Sequence, residues 1–367
     1  MKLKPFKAHV PNLKKIESLD SFFSSVSENY LDKYASKKFI PQEEASIFVY
    51  KISSPTGTYH GLIATNDVDD IRKGNIVPHE TTLSFKENRL KELLNRRQAQ
   101  IKPILCAFDC PESVMDFMIR ITTSQDAFLT INLEWTNEVH QLWQIILPDD
   151  IDLLISTFSH DVPEVFIADG HHRVTSILQL NEENHQSQLP SPDGLLTVYI
   201  PFRELKIFDY NRILTREEHY EREWVINRLN EAGKLHKIEG NLYPPNPGTI
   251  QVCIGVTWYE LKWHKTSIDD DIKELDIDLF NQFIVMEALD ITDTERKHRI
   301  TYIPGIHGRE GLMRAMAASN YSLGFMFPPI SKEQLKMRAR SGHPLPPKST
   351  WFEPRIKNGL VVYPYME

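Results

Sequence analysis

An α/β fold is predicted, and three observations predict it. The run Val165-Phe166-Ile167-Ala168 reads as a short buried strand, after which Val174, Ile177, Leu178 and Leu180 recur at helical spacing. Strand-like and helix-like stretches then alternate toward the C-terminus: Ile300 to Ile303, Glu310 to Ala318, Leu323 to Phe327, Lys332 to Arg340 and Leu360 to Tyr363. A chain of 367 residues is also long enough for a sizeable core, in two domains or one elaborate one.

Taken in order, Lys2 to Ile40 predicts an amphipathic helical lead-in that Pro41 ends. Ser46 to Ile52 and Tyr59 to Ala64 are strands, and Ser53-Ser54-Pro55-Thr56-Gly57 turns them into a hairpin. A polar island, Ile76-Val77-Pro78-His79-Glu80-Thr81-Thr82, precedes a helix from Ser84 to Gln98. Thr82 or Ser84 can cap that helix, which leaves His79 and Glu80 as either solvated neighbours of the cap or site residues. Further on come a strand from Ile101 to Phe108 and a helix from Pro111 to Thr122. Two strands within Ala127 to Leu147 turn near Asn137, and a helix runs from Asp149 to Phe158. Beyond Ser187 to Gly194, a polar loop, the pattern gives a strand from Leu195 to Pro201, a charged helix from Thr215 to Ala232, and one strand from Val252 to Lys262. Asp276 to Leu289 is an amphipathic helix with Phe280, Phe283, Ile284 and Leu289 inward.

The most informative stretch is Asp169-Gly170-His171-His172-Arg173, where the apolar run stops on a strand-to-helix turn. Asp169 can cap the following helix, Gly170 can take a conformation closed to other residues, and the first free amides face whatever docks there. Two imidazoles and a guanidinium beside those amides suit an anion, since the planar fork of Arg173 matches phosphate or carboxylate. The alternative is a capped helix with surface histidines.

Net charge is −8, with no basic tail or cluster, so nucleic-acid binding has no electrostatic support. Cys106, Cys110 and Cys253 match neither a disulfide framework nor paired zinc ligands, which fits a reducing cytoplasm. Met1 to Val10 lacks an apolar signal core, and no stretch approaches the roughly 20 apolar residues of a membrane helix. Lys348-Ser349-Thr350 ends like a nucleotide phosphate loop, but Pro346 and Pro347 stand where free glycine amides are needed. Two readings remain for it: rigid proline-rich packing, or a lysine and hydroxyls reaching into a site. Zinc is not expected, because adjacent histidines rarely share one ion and no His-Glu-x-x-His helix is present. Magnesium on Glu80 or Asp169, shared with a nucleotide's phosphates, stays open.

Ile167-Ala168-Asp169-Gly170-His171-His172-Arg173 resembles the signature of the bacterial domain-of-unknown-function-1015 family. Three further stretches carry the same resemblance: His79-Glu80-Thr81 with Lys86 and Arg89, then Ile207 to Arg212, then Pro346 to Pro354 leading to Gly359-Leu360-Val361. Pro78 replaces a basic residue of the usual pattern, and Ile303-Pro304-Gly305 replaces a more usual Val-Gly-Gly. The Asp-Gly-His-His-Arg turn is in turn similar to the phosphate-binding box of the ParB and sulfiredoxin superfamily, which includes an archaeal free serine kinase using ADP. Its upstream acidic residue corresponds to Glu80.

These resemblances imply a ParB/sulfiredoxin-like nucleotide-binding core over residues 41–200, after the lead-in 1–40 and before an added C-terminal α/β region over 201–367. They imply a cytoplasmic phosphotransferase acting on a small hydroxyl-bearing metabolite, or a nucleotide-controlled switch without phosphoryl transfer. Glu80, His79 and Asp169 are the catalytic candidates. Gly170, His171, His172, Arg173, Arg89 and Lys348 would hold a nucleotide (ATP, ADP or CTP), and Glu80 and Asp169 would hold Mg2+. The expected partners are the nucleotide and a small substrate, without membrane or nucleic acid, and a homodimer is left open.

Overall fold

Apolar residues recurring every second position build this chain's strands, and segments with a helical repeat pack against them. The structure, a computed structural model, describes residues 1–25, 38–80, 84–189, 191–215, 221–240, 244–264, 274–292, 298–318 and 322–365. These divide into two compact units: Met1–Lys206 with Lys336–Pro344 and Phe352–Glu367, and Ile207–Leu335 with Leu345–Trp351.

The first unit is built on a mixed ten-stranded sheet. Its order is Ile76–Val77, Val165–Asp169, Ile104–Phe108, Gly194–Pro201, Gly57–Asp67, Phe39–Ser54, Glu138–Ile145, Leu129–Leu133, with Leu3–Lys4 and Phe6–Pro11 added at Gly57–Asp67 and Phe39–Ser54. Two of the pairings are parallel, Val165–Asp169 with Ile76–Val77 and Gly194–Pro201 with Ile104–Phe108. The hairpin of Phe39–Ser54 and Gly57–Asp67 is antiparallel in a continuous register. Its apolar residues Ile47, Val49, Leu62 and Ala64 are buried with Val165, Ile167 and Tyr199 of neighbouring strands. The helices Glu112–Ser124 and Pro148–Asp161 add Val114, Met118, Leu154 and Phe158 to that core.

The second unit holds a six-stranded antiparallel sheet, ordered Gly233–Lys237, Thr257–Trp263, Thr249–Ile254, Ser322–Met326, Tyr210–Thr215, Ile300–Pro304. Leu312 and Met316 of the helix Gly308–Ala317 pack with Ile213, Cys253 and Met326 of this sheet. Gly305 gives its backbone to Asp209: its amide donates to the Asp209 carbonyl at 2.8 Å, and a Cβ there would lie 2.2 Å from Asp209 Oδ1. The close glycine approach therefore survives the Ile303-Pro304-Gly305 departure.

The structure corrects four expectations. The helix expected from Lys2 is strand at Leu3–Lys4 and Phe6–Pro11, because Phe6, Ala8 and Val10 alternate inward; a 3-10 turn at Leu13–Lys15 and an α-helix at Leu19–Ser25 follow, and 26–37 lie outside the described residues. The single strand expected from Val252 to Lys262 is a hairpin, Thr249–Ile254 and Thr257–Trp263, turned at Gly255 with φ 65°. The helix expected over Asp276 to Leu289 keeps α geometry only at Asp276–Leu279 and widens to a π-helix at Phe280–Ala288, with Phe280, Phe283, Ile284 and Leu289 buried as expected. The strand expected from Leu360 is confined to Tyr363–Pro364. Thr81 and Thr82 lie outside the described residues.

Candidate functional site

Parallel pairing decides what meets at the site. Val165 pairs with Ile76 and Phe166 with Val77, so both strands leave the sheet at the same end, one into Pro78-His79-Glu80 and the other into Asp169-Gly170-His171. Ends of parallel strands are where α/β sheets collect ligands. Ile104–Phe108 runs antiparallel beside Val165–Asp169, with Asp169 opposite Leu105, so the residues entering it, Lys102 and Pro103, arrive at that end too. A bulge between Ile167 and Asp169 turns the strand end as it leaves the ladder.

The two polar islands, 92 residues apart, come into contact. The His79 backbone N–H donates to His171 Nε2 at 3.2 Å, and the two rings meet edge to face with centroids 4.5 Å apart. Phe352 closes over His79 at 5.7 Å. His79 is 1% exposed and His171 8%. Burial drives the His79 imidazole down to about 4, partly offset by a hydrogen bond to the Ile167 backbone. Burial also drives His171 well below 6.5, with His79 adding to the effect, then Asp169 opposing it. Both rings are neutral at pH 7, and with Nε2 accepting, His171 carries its proton on Nδ1.

Gly170 is the N-cap of the helix His171–Gln186 and sits in the left-handed region, φ 115°. No side chain caps that helix, so the cap expected of Asp169 is not formed. The carboxylate is engaged elsewhere. Arg173 Nη2 donates to Asp169 Oδ2 at 2.9 Å and to the Pro103 carbonyl at 3.2 Å, folding the guanidinium back over Gly170. A Cβ on residue 170 would meet Arg173 Nη2 at 2.7 Å, so only glycine lets the guanidinium lie there. Burial opposes ionisation of Asp169, but the charges of Arg173, Lys102 and Arg355 and the Arg173 hydrogen bond outweigh it and hold the carboxyl below its usual range. One cation, Arg173, contacts the carboxylate and the charges of Lys102 and Arg355 act on it as well, beside a helix start with no acidic residue in its first turn. That is an electropositive pocket suited to an anion.

The other expected site residues fall as follows. Glu80 is half-buried directly after His79, and His172 is half-buried at the second helical position. Arg89 is exposed on the helix Ser84–Arg97, which packs along His171–Gln186 through Ser176 Oγ donating to the Glu87 carbonyl at 3.0 Å and Gln179 Nε2 donating to Glu87 Oε2 at 3.1 Å. Lys348 belongs to the second unit, where it is exposed with φ 61°, its carbonyl accepts from Arg212 at 3.1 Å, and its ammonium lies 5.3 Å from the Tyr210 ring. From the C-terminal stretch within the first unit, Phe352 meets the His79 ring, and Arg355 acts on the Asp169 carboxylate through its charge. Lys102, Pro103 and Arg355 escaped the sequence reading, because only the sheet register and the C-terminal return of the chain carry them there.

For a metal held by protein alone the donor set does not fit. Among the described residues no three His, Cys, Asp or Glu side chains converge, and Asp169 is held by Arg173 amid further cations. Burial raises all three thiols, Cys106 furthest and Cys110 to about 12, so they are inert structural groups. Among the described residues no helix is long and apolar enough to cross a membrane.

Solved structures similar to this chain include SbnI with a C-terminal truncation from Staphylococcus aureus, at 13% identity and a TM-score of 0.45 over 81% of this chain and 85% of that one. A free serine kinase variant in complex with ADP is similar at 12% identity and a TM-score of 0.42, over 81% and 92% of the two chains. A conserved hypothetical protein from Pyrococcus furiosus is similar at 12% identity and a TM-score of 0.40, over 81% and 95%. No curated protein matches the sequence. Residues 9–291 match the family described as protein of unknown function (DUF1015). On that match, which spans most of its length and includes both polar islands, the chain belongs to the DUF1015 family.

Proposed function

We propose that the first unit is a ParB/sulfiredoxin-like core that binds a nucleotide by its phosphates at the Asp169 to Arg173 turn, and that the chain transfers a phosphoryl group to a small hydroxyl-bearing metabolite. The observation that carries the phosphate part is the grouping of Arg173, Lys102 and Arg355 about the single carboxylate of Asp169 at a helix start. The nucleotide part is supported by the resemblance of Asp-Gly-His-His-Arg to a phosphate-binding box.

In this reading the cations and the first amides of His171–Gln186 neutralise and orient the phosphates, which is most of what phosphoryl transfer asks of a protein. The acceptor oxygen forms the new bond to phosphorus as the bond to the nucleotide's leaving phosphate breaks, and the hydroxyl proton passes to Glu80. His79, buried behind His171, is a positioning residue that fixes the His171 tautomer rather than a proton carrier. A magnesium ion would take its ligands mainly from the phosphates, with Glu80 the protein carboxylate next to the turn.

One observation favours a switch as the second reading: Arg173 already has an internal partner, so phosphate binding would have to loosen the Asp169 pair and free the strand end it holds. A melting-temperature screen of ATP, ADP and CTP crossed with small hydroxyl compounds separates the two, followed by Glu80→Gln. The kinase reading expects Glu80→Gln to bind nucleotide normally and lose about 10²–10⁴-fold in transfer to the acceptor found. Nucleotide binding with a conformational change but no transfer to any acceptor would replace it by the switch.

A further inference from the structure

Phe352, Arg355 and Lys357 lie on one short stretch of the first unit's C-terminal return, and that stretch is held at both ends. At one end the Phe352 ring meets His79 at 5.7 Å. At the other, the Lys357 ammonium pairs with Glu138 Oε2, the two side chains being 18% and 12% exposed. The same Oε2 accepts from Thr136 Oγ1 at 2.7 Å and lies 3.5 Å from His140 Nε2, while His140 Nδ1 is 2.7 Å from Tyr50 Oη. The Lys357 backbone hydrogen-bonds to that tyrosine hydroxyl. Tyr50 and His140 are both fully buried. Burial opposes ionisation of Glu138, but hydrogen bonds from His140, Lys357 and Thr136 outweigh it and hold the carboxyl down at about 2, so Glu138 is a carboxylate at neutral pH. Two paired strands, Phe39–Ser54 and Glu138–Ile145, thus grip one residue of the return by its ammonium and by its backbone.

A buried ion pair adds little net stability over apolar packing of the same volume, and its best-attested use is to hold one arrangement among several. Here the arrangement is that of Arg355, which stands between Phe352 and Lys357 and whose charge acts on Asp169. Its side chain is exposed, and Lys357 follows it by two residues, at most about 7 Å of extended chain, so the grip on Lys357 limits where that charge can fall. Further along, the Gly359 N–H donates to the Ile101 carbonyl at 2.9 Å, next to Lys102. We infer that Glu138, His140 and Tyr50 are positioning residues for the anion site: they clamp Lys357 and so keep the Arg355 charge within reach of phosphates at the Asp169 to Arg173 turn. The inference rests on the phosphate reading above and adds to it residues from strands that have no part in the turn.

The test is calorimetric titration of ADP into the full chain and into Lys357→Met, Glu138→Gln and Tyr50→Phe, with circular dichroism confirming that each is folded. These substitutions remove a positive charge, a negative charge and no charge. A clamp predicts that all three weaken ADP by about three- to tenfold, the scale of displacing one unit charge by a few ångströms in a partly screened site. In an Arg355→Ala background the same substitutions should change ADP affinity by no more than about twofold, because the residue they act through is gone. Glu138→Gln tightening ADP while Lys357→Met weakens it would mark a long-range charge effect and overturn the clamp, as would equal losses with and without Arg355. Should the buried variants fail to fold, hydrogen exchange in the wild-type chain decides: the Lys357 amide should exchange far more slowly than in free chain, and exchange at the free-chain rate overturns the clamp. Wild-type chain that binds ADP no better than the three variants loses the clamp alone, whereas wild-type chain that binds no ADP loses the phosphate reading and the clamp with it.

Discussion

At Gly170 a hydrogen in place of a methyl group lets the Arg173 guanidinium lie over the turn. Gly170→Ala would meet both a positive φ and a 2.7 Å contact, so it should destabilise the chain by about 1–3 kcal/mol, read as a lower melting temperature, and should weaken phosphate binding by displacing Arg173. The buried histidines make a pH prediction. His79 is held near 4 in the folded chain, below its ordinary 6.5, so the unfolded chain takes up a proton over that window and the folded chain does not. Its neutral state costs nothing above 6.5, and stability falls as the pH drops from 6.5 toward 4, by up to about 3 kcal/mol for His79 alone. Melting temperatures between pH 7 and 4.5 should therefore fall less steeply in His79→Gln than in wild type, and equal slopes would contradict its burial as a neutral base. Asp169 to Arg173 could be singled out in the sequence because four polar residues and a glycine end an apolar run. Lys102 and Arg355 could not, since each is an ordinary basic residue until the fold sets it beside Asp169.

Among the elements, those with a clear period were legible and those set by neighbours were not. The helix Ser84–Arg97 and the hairpin of Phe39–Ser54 with Gly57–Asp67 follow from residues whose spacing matches one geometry throughout. The first strands did not, because Phe6–Pro11 is short and its alternation shows only against the partner Phe39–Ser54. The π-turns of Phe280–Ala288 are also a tertiary outcome: Phe280, fully buried, meets the rings of Phe325 at 4.9 Å and Phe327 at 5.1 Å. Phe280→Ala should cost about 3–5 kcal/mol in the second unit. Denaturant unfolding followed by the second unit's Trp258 would show it, and a loss below about 1 kcal/mol would mean that the aromatic cluster does not hold this helix.

For the molecule as a whole, strand and helix alternation in the C-terminal part suggested α/β architecture, yet the second unit's sheet is wholly antiparallel. Alternation in sequence fixes neither strand direction nor order, which depend on long-range register. In the first unit that register brings residues 76–80, 102–103 and 169–173 to one end of one sheet, and the proposed anion site rests on it. The most direct test of that claim is a calorimetric titration of ADP into wild type and Arg173→Ala, with circular dichroism confirming that the variant is folded. Wild type should bind with one saturable transition, and Arg173→Ala should lose about 1.5–3 kcal/mol of binding, the worth of a hydrogen bond to a charged group. A folded Arg173→Ala that binds ADP as tightly as wild type would contradict a phosphate site at this turn.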